Sequence, residues 1–389
     1  MTTRKALGGK VLSKPFLILL AVALVGLFFI GKRFLLGIGA VSGMNDGYPW
    51  GIWIALDVVV GTAFACGGYS LAFLIYVFKK GEYSPLLRPA LLTSLFGYSL
   101  AGFSVLVDLG RYWQAYNIVL PRYSNLHSVM FEVALCIASY VLVLWIEVTP
   151  AFLERFNKQK MLRRLNRVLF FFVAMGLLLP SMHQSSLGTL ILMAGYKLSP
   201  LWRTGFLPML FLLSAITMGY AVVIVESCFC AVGFKRPLEK ELLAKISAFM
   251  PWVLAFYLLV RIEDVNLRGY LPLAFAGDMK GNLFLLENFL IGMPMLLLFY
   301  PANRERRLVI FLSAFSIMLG GALYRFNTYI TGFDPGNGWQ YFPTGPEIMV
   351  TFGFLAMELL GYLWLVKKLP IVADLSDPGI SGNMSVKHS

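Results

Sequence analysis

Apolar residues in this chain come in long blocks, not at the spacing of an amphipathic surface helix or an alternating strand. Ten such runs lie at approximately 15–36, 50–78, 86–110, 125–147, 167–184, 206–232, 244–261, 281–300, 307–331 and 346–366. Each is close to the about 20 residues that cross the hydrocarbon layer of a membrane as a helix. The pattern predicts an all-α bundle of ten transmembrane helices, with residues 1–370 forming one integral membrane domain and 371–389 a disordered cytoplasmic tail. The fifth run is among the shortest, and Pro180 near its end predicts a helix that breaks just before His183. The first run follows Arg4, Lys5, Lys10 and Lys14, as the core of a signal peptide would. It ends without a small-residue cleavage site and is read as a retained helix.

Composition agrees. The chain is 58% hydrophobic and only 14% charged, where soluble domains run at about 45–50% and about 25%. A soluble protein of 389 residues would need a polar surface that these residues cannot supply.

The net charge of +13 orients the helices. With the N-terminus in the cytoplasm, the cytoplasmic segments hold 23 of the 33 Lys and Arg residues and the opposite face 9, with Arg325 inside a span. This is the positive-inside asymmetry, and it places both termini in the cytoplasm. The basic stretch Arg155–Arg167 is therefore a topology signal, and nothing points to nucleic acid. Aromatic residues crowd the other face: Tyr48, Trp50, Trp53, Tyr112, Trp113, Tyr116, Trp202, Trp339 and Tyr341, most of which read as an interfacial belt.

Metal chemistry has few ligands to draw on. Cys66, Cys136, Cys228 and Cys230 all lie in apolar runs without a CxxC pair, which predicts neither an iron–sulfur cluster nor a zinc site. Of three histidines, His388 is in the tail and His127 near a helix end, leaving His183 without a facing partner. The expectation is a chain without haem or other metal.

The spans do carry ionisable groups: Asp57, Asp108, Glu132, Glu226, Glu287, Arg325 and Glu358. A charged residue at a helix centre costs about 2.5–3.5 kcal/mol on insertion scales, so such groups face the bundle interior and are paired or functional. Asp108 and Arg111, three apart, read as an ion pair on one helix face. Arg325 is expected to neutralise Glu287 or Glu347, and Tyr98 to be a packing residue with a bonded hydroxyl. Glu132 and Glu226 have no partner in sequence and point to function. So does His183, in the Leu179–Gly188 segment LPSMHQSSLG, because irregular backbone at membrane depth lines protein or a wet cavity.

Several segments together carry a resemblance: Pro49–Asp57 (PWGIWIALD), Gly61–Gly68 (GTAFACGG), Arg88–Gly102 (RPALLTSLFGYSLAG), Asp108–Trp113 (DLGRYW), Leu179–Gly188, Leu273–Asp278 (LAFAGD) and Tyr341–Pro343 (YFP). With them the chain resembles, over almost its whole length, the polysulfide-reductase (NrfD-like) integral membrane family in its hydrogenase 2 branch. The resemblance implies a haem-free bundle in a bacterial inner membrane that binds menaquinone or ubiquinone. It also implies partners: a periplasmic ferredoxin-like iron–sulfur subunit and the small and large subunits of a nickel–iron hydrogenase, which hold the metal centres. On that footing Asp57, Asp108 and His183 line the quinone head, Trp53 and Tyr98 shape its pocket, Glu132 and Glu226 relay protons, and Arg111, Glu287 and Arg325 pair charges. Three alternatives stay open: a membrane subunit of a related polysulfide or tetrathionate reductase, an ion-coupled transporter, and a purely structural anchor.

Overall fold

The computed structural model describes residue 4 and residues 6–372, so the expected tail lies almost wholly outside the described residues. Ten helices are long and apolar enough to cross a membrane: α1 (Lys14–Leu36), α2 (Trp53–Val77), α3 (Gly81–Asp108), α4 (Val129–Arg155), α5 (Gln159–Leu192), α6 (Leu207–Gly233), α7 (Lys240–Leu267), α8 (Met279–Phe299), α9 (Arg307–Thr331) and α10 (Gly345–Lys368). Among the described residues there is no β-strand, only isolated bridges such as Leu198 with Phe333. Successive helices run antiparallel, so one face carries the basic loops and the other the aromatic connections. They are called here the basic face and the aromatic face.

Helices α2–α5 pack on one another, as do α6–α9, and the two groups meet where α2 lies against α6 and α9 and α5 against α6. Helix α1 pairs with α10 beside α3. That pairing depends on two glycines: a Cβ on Gly26 would come within 2.5 Å of Gly353 Cα, the backbone-to-backbone approach that small residues permit between membrane helices. The most enclosed helices, α2 and α6, sit at the junction of the groups. Helix α2 is also the least regular: Trp53–Val60 and Phe73–Val77 are π-helical, and residues Asn327–Thr331 at the end of α9 are π-helical too. Such widened turns change which side chains face inward and recur at functional sites.

The fifth helix corrects the reading of Pro180. Far from breaking there, α5 is the longest helix at 34 residues, and both Pro180 and His183 are buried within it. A proline removes one backbone donor, but membrane helices tolerate it where hydroxyls and neighbouring helices satisfy the freed groups. Ser181 Oγ donates to Leu177 O at 2.7 Å, beside the interruption.

Candidate functional site: a polar cluster at the helix junction

The centre of the bundle holds a compact set of polar side chains from four helices. His183 and Gln184 come from α5, Thr62 and Cys66 from α2, Tyr98 from α3 and Tyr140 from α4. Thr62 Oγ donates to Val58 O at 2.6 Å, so its lone pairs are left to accept. Gln184 Nε2 donates to it at 3.1 Å, and His183 Nε2 lies 3.3 Å away. With the threonine proton committed, that nitrogen is the protonated one and His183 Nδ1 carries the lone pair. Gln184 Nε2 also reaches Tyr98 Oη at 3.2 Å, Cys66 Sγ stands 3.7 Å from the same oxygen, and the Tyr140 ring meets Tyr98 edge-on at 4.5 Å. Tyr98 is therefore a node of this network as well as a packing residue.

Two acceptors in the cluster remain open. His183 Nδ1 and Gln184 Oε1 are buried and have no hydrogen-bond partner. Leaving a buried polar atom unpaired costs about 1–3 kcal/mol, and each such atom in a native fold calls for a reason. Two open acceptors on residues that share Thr62 suit a ligand or water that presents O–H groups.

The remaining sequence-predicted residues fall into three places. Towards the aromatic face, Asp57 Oδ2 accepts from Ser104 Oγ and Thr351 Oγ1, both at 3.1 Å. Asp108 lies one turn beyond Ser104 on α3, its Oδ1 buried and unpartnered. Trp53 is pinned by its indole N–H to Glu347 O at 3.2 Å. Glu347 itself accepts from Tyr341 Oη, Gly43 N and Thr344 N, each at 2.8 Å. Burial and then the Glu347 charge push the Tyr341 hydroxyl above its ordinary range, which keeps it a donor. Glu132, in the first turn of α4, accepts from Ser186 Oγ at 2.7 Å, and Ser186 follows His183 by three residues on α5. On the basic side, Glu226 accepts from Tyr362 Oη at 2.6 Å beside a cleft lined by Pro85, Pro89, Cys230, Arg236 and Glu239. Burial pushes the Glu239 carboxyl at that mouth upward. Glu358 lies one step further in, with its carboxylate beside Gly97, the neighbour of Tyr98.

The charge pairs differ from expectation. Helix α3 ends at Asp108, so exposed Arg111 does not share its face. The cation there is Arg33, which bonds the carbonyls of Val107 and Leu109 and lies over the Tyr112 ring at 5.0 Å. Glu287 is paired with Arg261, not Arg325, and also accepts from Asn327 Nδ2 at 2.8 Å and Trp202 Nε1 at 3.1 Å. Arg325 is held by Phe211 O, Val59 O and Ser214 Oγ at 2.6, 2.9 and 3.1 Å. Arg33 and Arg261 were missed because each stands near a helix end in sequence and reads as a loop cation. Thr62, Cys66 and Gln184 lay inside the recognisable segments, where their polarity was the available signal.

Fold and cluster together define a class: a multi-pass integral membrane protein whose polar chemistry is enclosed at a helix junction. Comparison with known proteins narrows it. The family model described as Polysulphide reductase, NrfD matches residues 40–333, and the chain belongs to that family. It is similar to the probable Ni/Fe-hydrogenase 2 b-type cytochrome subunit of Escherichia coli (strain K12), 43% identical over 372 residues and 95% of each chain. It is also similar to the menaquinone reductase integral membrane subunit of Nitratidesulfovibrio vulgaris, at 26% over 83% of this chain and 84% of the other. Similarity to the Hdr-like menaquinol oxidoreductase integral membrane subunit of Archaeoglobus fulgidus is 22% over 92% and 93%.

The first of these relatives corrects the expectation of a haem-free chain, because it is named a b-type cytochrome subunit. The described residues do not fit a b-haem held by two imidazoles. His183 is enclosed, with the Tyr98 ring 5.6 Å away, and His127 is exposed in the loop before α4. Among the described residues no second imidazole faces His183 and no three His, Cys, Asp or Glu side chains gather as metal ligands.

Proposed function

We propose that the chain is the quinone-reactive membrane subunit of a respiratory nickel–iron hydrogenase complex. In this reading the aromatic face is periplasmic and docks an iron–sulfur partner that carries electrons from the hydrogenase small and large subunits, and both termini lie in the cytoplasm of a bacterium's inner membrane. The similarity to a hydrogenase 2 membrane subunit supports the choice of partner. The observation that carries the quinone reading is the pair of open acceptors, His183 Nδ1 and Gln184 Oε1, beside Tyr98. A quinone oxygen can receive a hydrogen bond from Tyr98, and the quinol hydroxyls that form after two electrons and two protons arrive can donate to the open acceptors. Asp57, with its two hydroxyl donors, and Asp108 lie on the route from this cluster to the aromatic face, where the electrons enter; Trp53 fixes the wall against α10.

Protons come from charged groups enclosed by helices. Glu132 is joined through Ser186 to the His183 turn, and Glu226 faces the cleft on the basic side. Moving a charge against 100 mV costs about 2.3 kcal/mol, so an enzyme that takes protons on one side and electrons on the other needs a guarded path. Glu132→Gln in the assembled complex is expected to abolish hydrogen-driven quinone reduction while hydrogen oxidation by a soluble dye continues. A normal quinone-linked rate removes Glu132 from the relay. A second reading, a membrane subunit that exchanges electrons between quinone and a different oxidoreductase, is favoured by the similarity to menaquinone reductase and menaquinol oxidoreductase subunits. The polypeptides that co-purify in mild detergent decide between the two.

A further inference from the structure

One half-buried carboxylate inside a spanning helix has no part in that relay. Glu147 lies on α4, eight residues before its end at Arg155 on the basic side. Its Oε1 fills a notch on α5 left by Gly176, where a Cβ would stand only 2.7 Å away. Among the described residues it has neither a hydrogen-bond donor nor an ion-pair partner. An acidic group within a membrane helix is expensive to place, and an apolar residue would fill the same notch at no such cost.

Its neighbours form a line. Tyr140, Glu147 and Glu154 recur every seven residues on α4, which sets them two turns apart on one face. Glu154 marks the surface end, held by Arg88 through two hydrogen bonds of 2.6 Å at the basic face. Tyr140 marks the inner end, buried with its ring against Tyr98. A pair of hydroxyls bridges α2 and α5: Tyr69 Oη and Ser181 Oγ are 2.8 Å apart, and Ser181 lies five residues beyond Gly176 and two before His183. Polar groups thus step from the basic surface to the central cluster without passing Glu226, which lies near Tyr362 on α10, the helix whose Glu358 reaches Gly97 beside Tyr98.

We propose that Glu147, with Tyr140 and the Tyr69–Ser181 pair, is a second proton lead from the basic face that converges with the Glu226 lead on Tyr98. Quinone reduction takes up two protons for two electrons, and two leads let each proton arrive by its own path. Along α4 the steps are about 10 Å, so water carries the proton between them; each group gains a proton on one side and gives one up on the other, and only O–H bonds change. The inference rests on the quinone reading of the site.

The test uses the whole complex in its own membrane, with hydrogen as donor and either quinone or a soluble dye as acceptor. Glu147→Gln is expected to slow quinone-linked turnover about tenfold, less than the roughly 10²–10⁴-fold that a sole acid–base group contributes, because the Glu226 lead remains. It should also enlarge the solvent isotope effect and leave the dye-linked rate alone. Glu147→Asp should restore part of the rate. Gly176→Ala, which keeps the carboxylate but displaces it, should fall between the parent and Glu147→Gln, and it carries the test if Glu147→Gln does not assemble. An unchanged isotope effect in both Glu147→Gln and Gly176→Ala overturns the second lead. Glu226→Gln separates the two ideas: if it is slow while both of those variants are normal, only the second lead falls; if all three run at the parent rate, proton delivery from this face falls with it.

Discussion

Two glutamates within spanning helices, buried Glu287 in the aromatic half of the bundle and half-buried Glu226 in the basic half, are handled in opposite ways. Glu287 is saturated by Arg261, the Trp202 indole and the Asn327 amide. Glu226 meets hydroxyls, from Tyr362 and Thr93, and sits beside a cleft within reach of a second carboxylate, Glu358. A carboxylate with a cation and two further donors is locked as an anion and holds elements together. One supported only by hydroxyls can exchange a proton without breaking the fold. The comparison breaks most visibly at Glu287. Glu287→Ala leaves Arg261 buried and unpaired, and removing one member of a buried pair costs about 3–5 kcal/mol. Thermal unfolding in detergent should show a large loss, and the double variant Arg261→Met with Glu287→Leu should recover much of it. A stable single variant would mean that this pair does not anchor the second helix group.

At Glu226 the expected effect moves from stability to turnover. Glu226→Gln keeps the shape and the Tyr362 contact, so the unfolding temperature should stay near that of the parent. Quinone-linked turnover should fall about a hundredfold, the lower range for losing a general acid–base group. Loss of stability with turnover per folded complex unchanged would place Glu226 with Glu287 as a structural residue.

How far this division was legible in sequence varies by position. All ten helices were, because a hydrophobic block near bilayer length has few other readings. The division between paired and open carboxylates was only half legible. Glu226 stood out as partnerless and is so in the fold, apart from its hydroxyls. Glu287 was assigned the wrong cation, since Arg261 lies six residues from the end of α7 and was counted with the loop. Asp108 and Arg111 failed as a pair for a local reason: spacing implies a shared face only while the helix continues, and α3 stops at Asp108. Glu147 was hidden by its nearness to the Arg155–Arg167 stretch, and only the notch at Gly176 reveals that its carboxylate packs against α5. His183 was singled out for a break that does not exist, yet its segment contains the open acceptors. Sequence identified polar residues at membrane depth; which of them were already satisfied depended on helices distant in the chain.

The smallest effect belongs to Glu239, at the mouth of the cleft that Glu226 lines. Burial pushes its carboxyl above the ordinary glutamate value, with Arg236 and a backbone hydrogen bond opposing. A raised folded value means that the native state holds the proton more tightly than the unfolded chain. This group's contribution to stability is therefore full below the unfolded value and is lost as pH rises through the folded one. Glu239→Gln should flatten that part of the stability–pH curve in mildly acidic buffer while leaving the unfolding temperature near neutral pH equal to or slightly above the parent's. If Glu239 stands at the intake to Glu226, the same variant should slow quinone-linked turnover a fewfold at high pH, where protons are scarce, and hardly at low pH. A loss of rate independent of pH would instead mean that Glu239 acts by shaping the start of α7, and the cleft would lose its claim to be the proton intake.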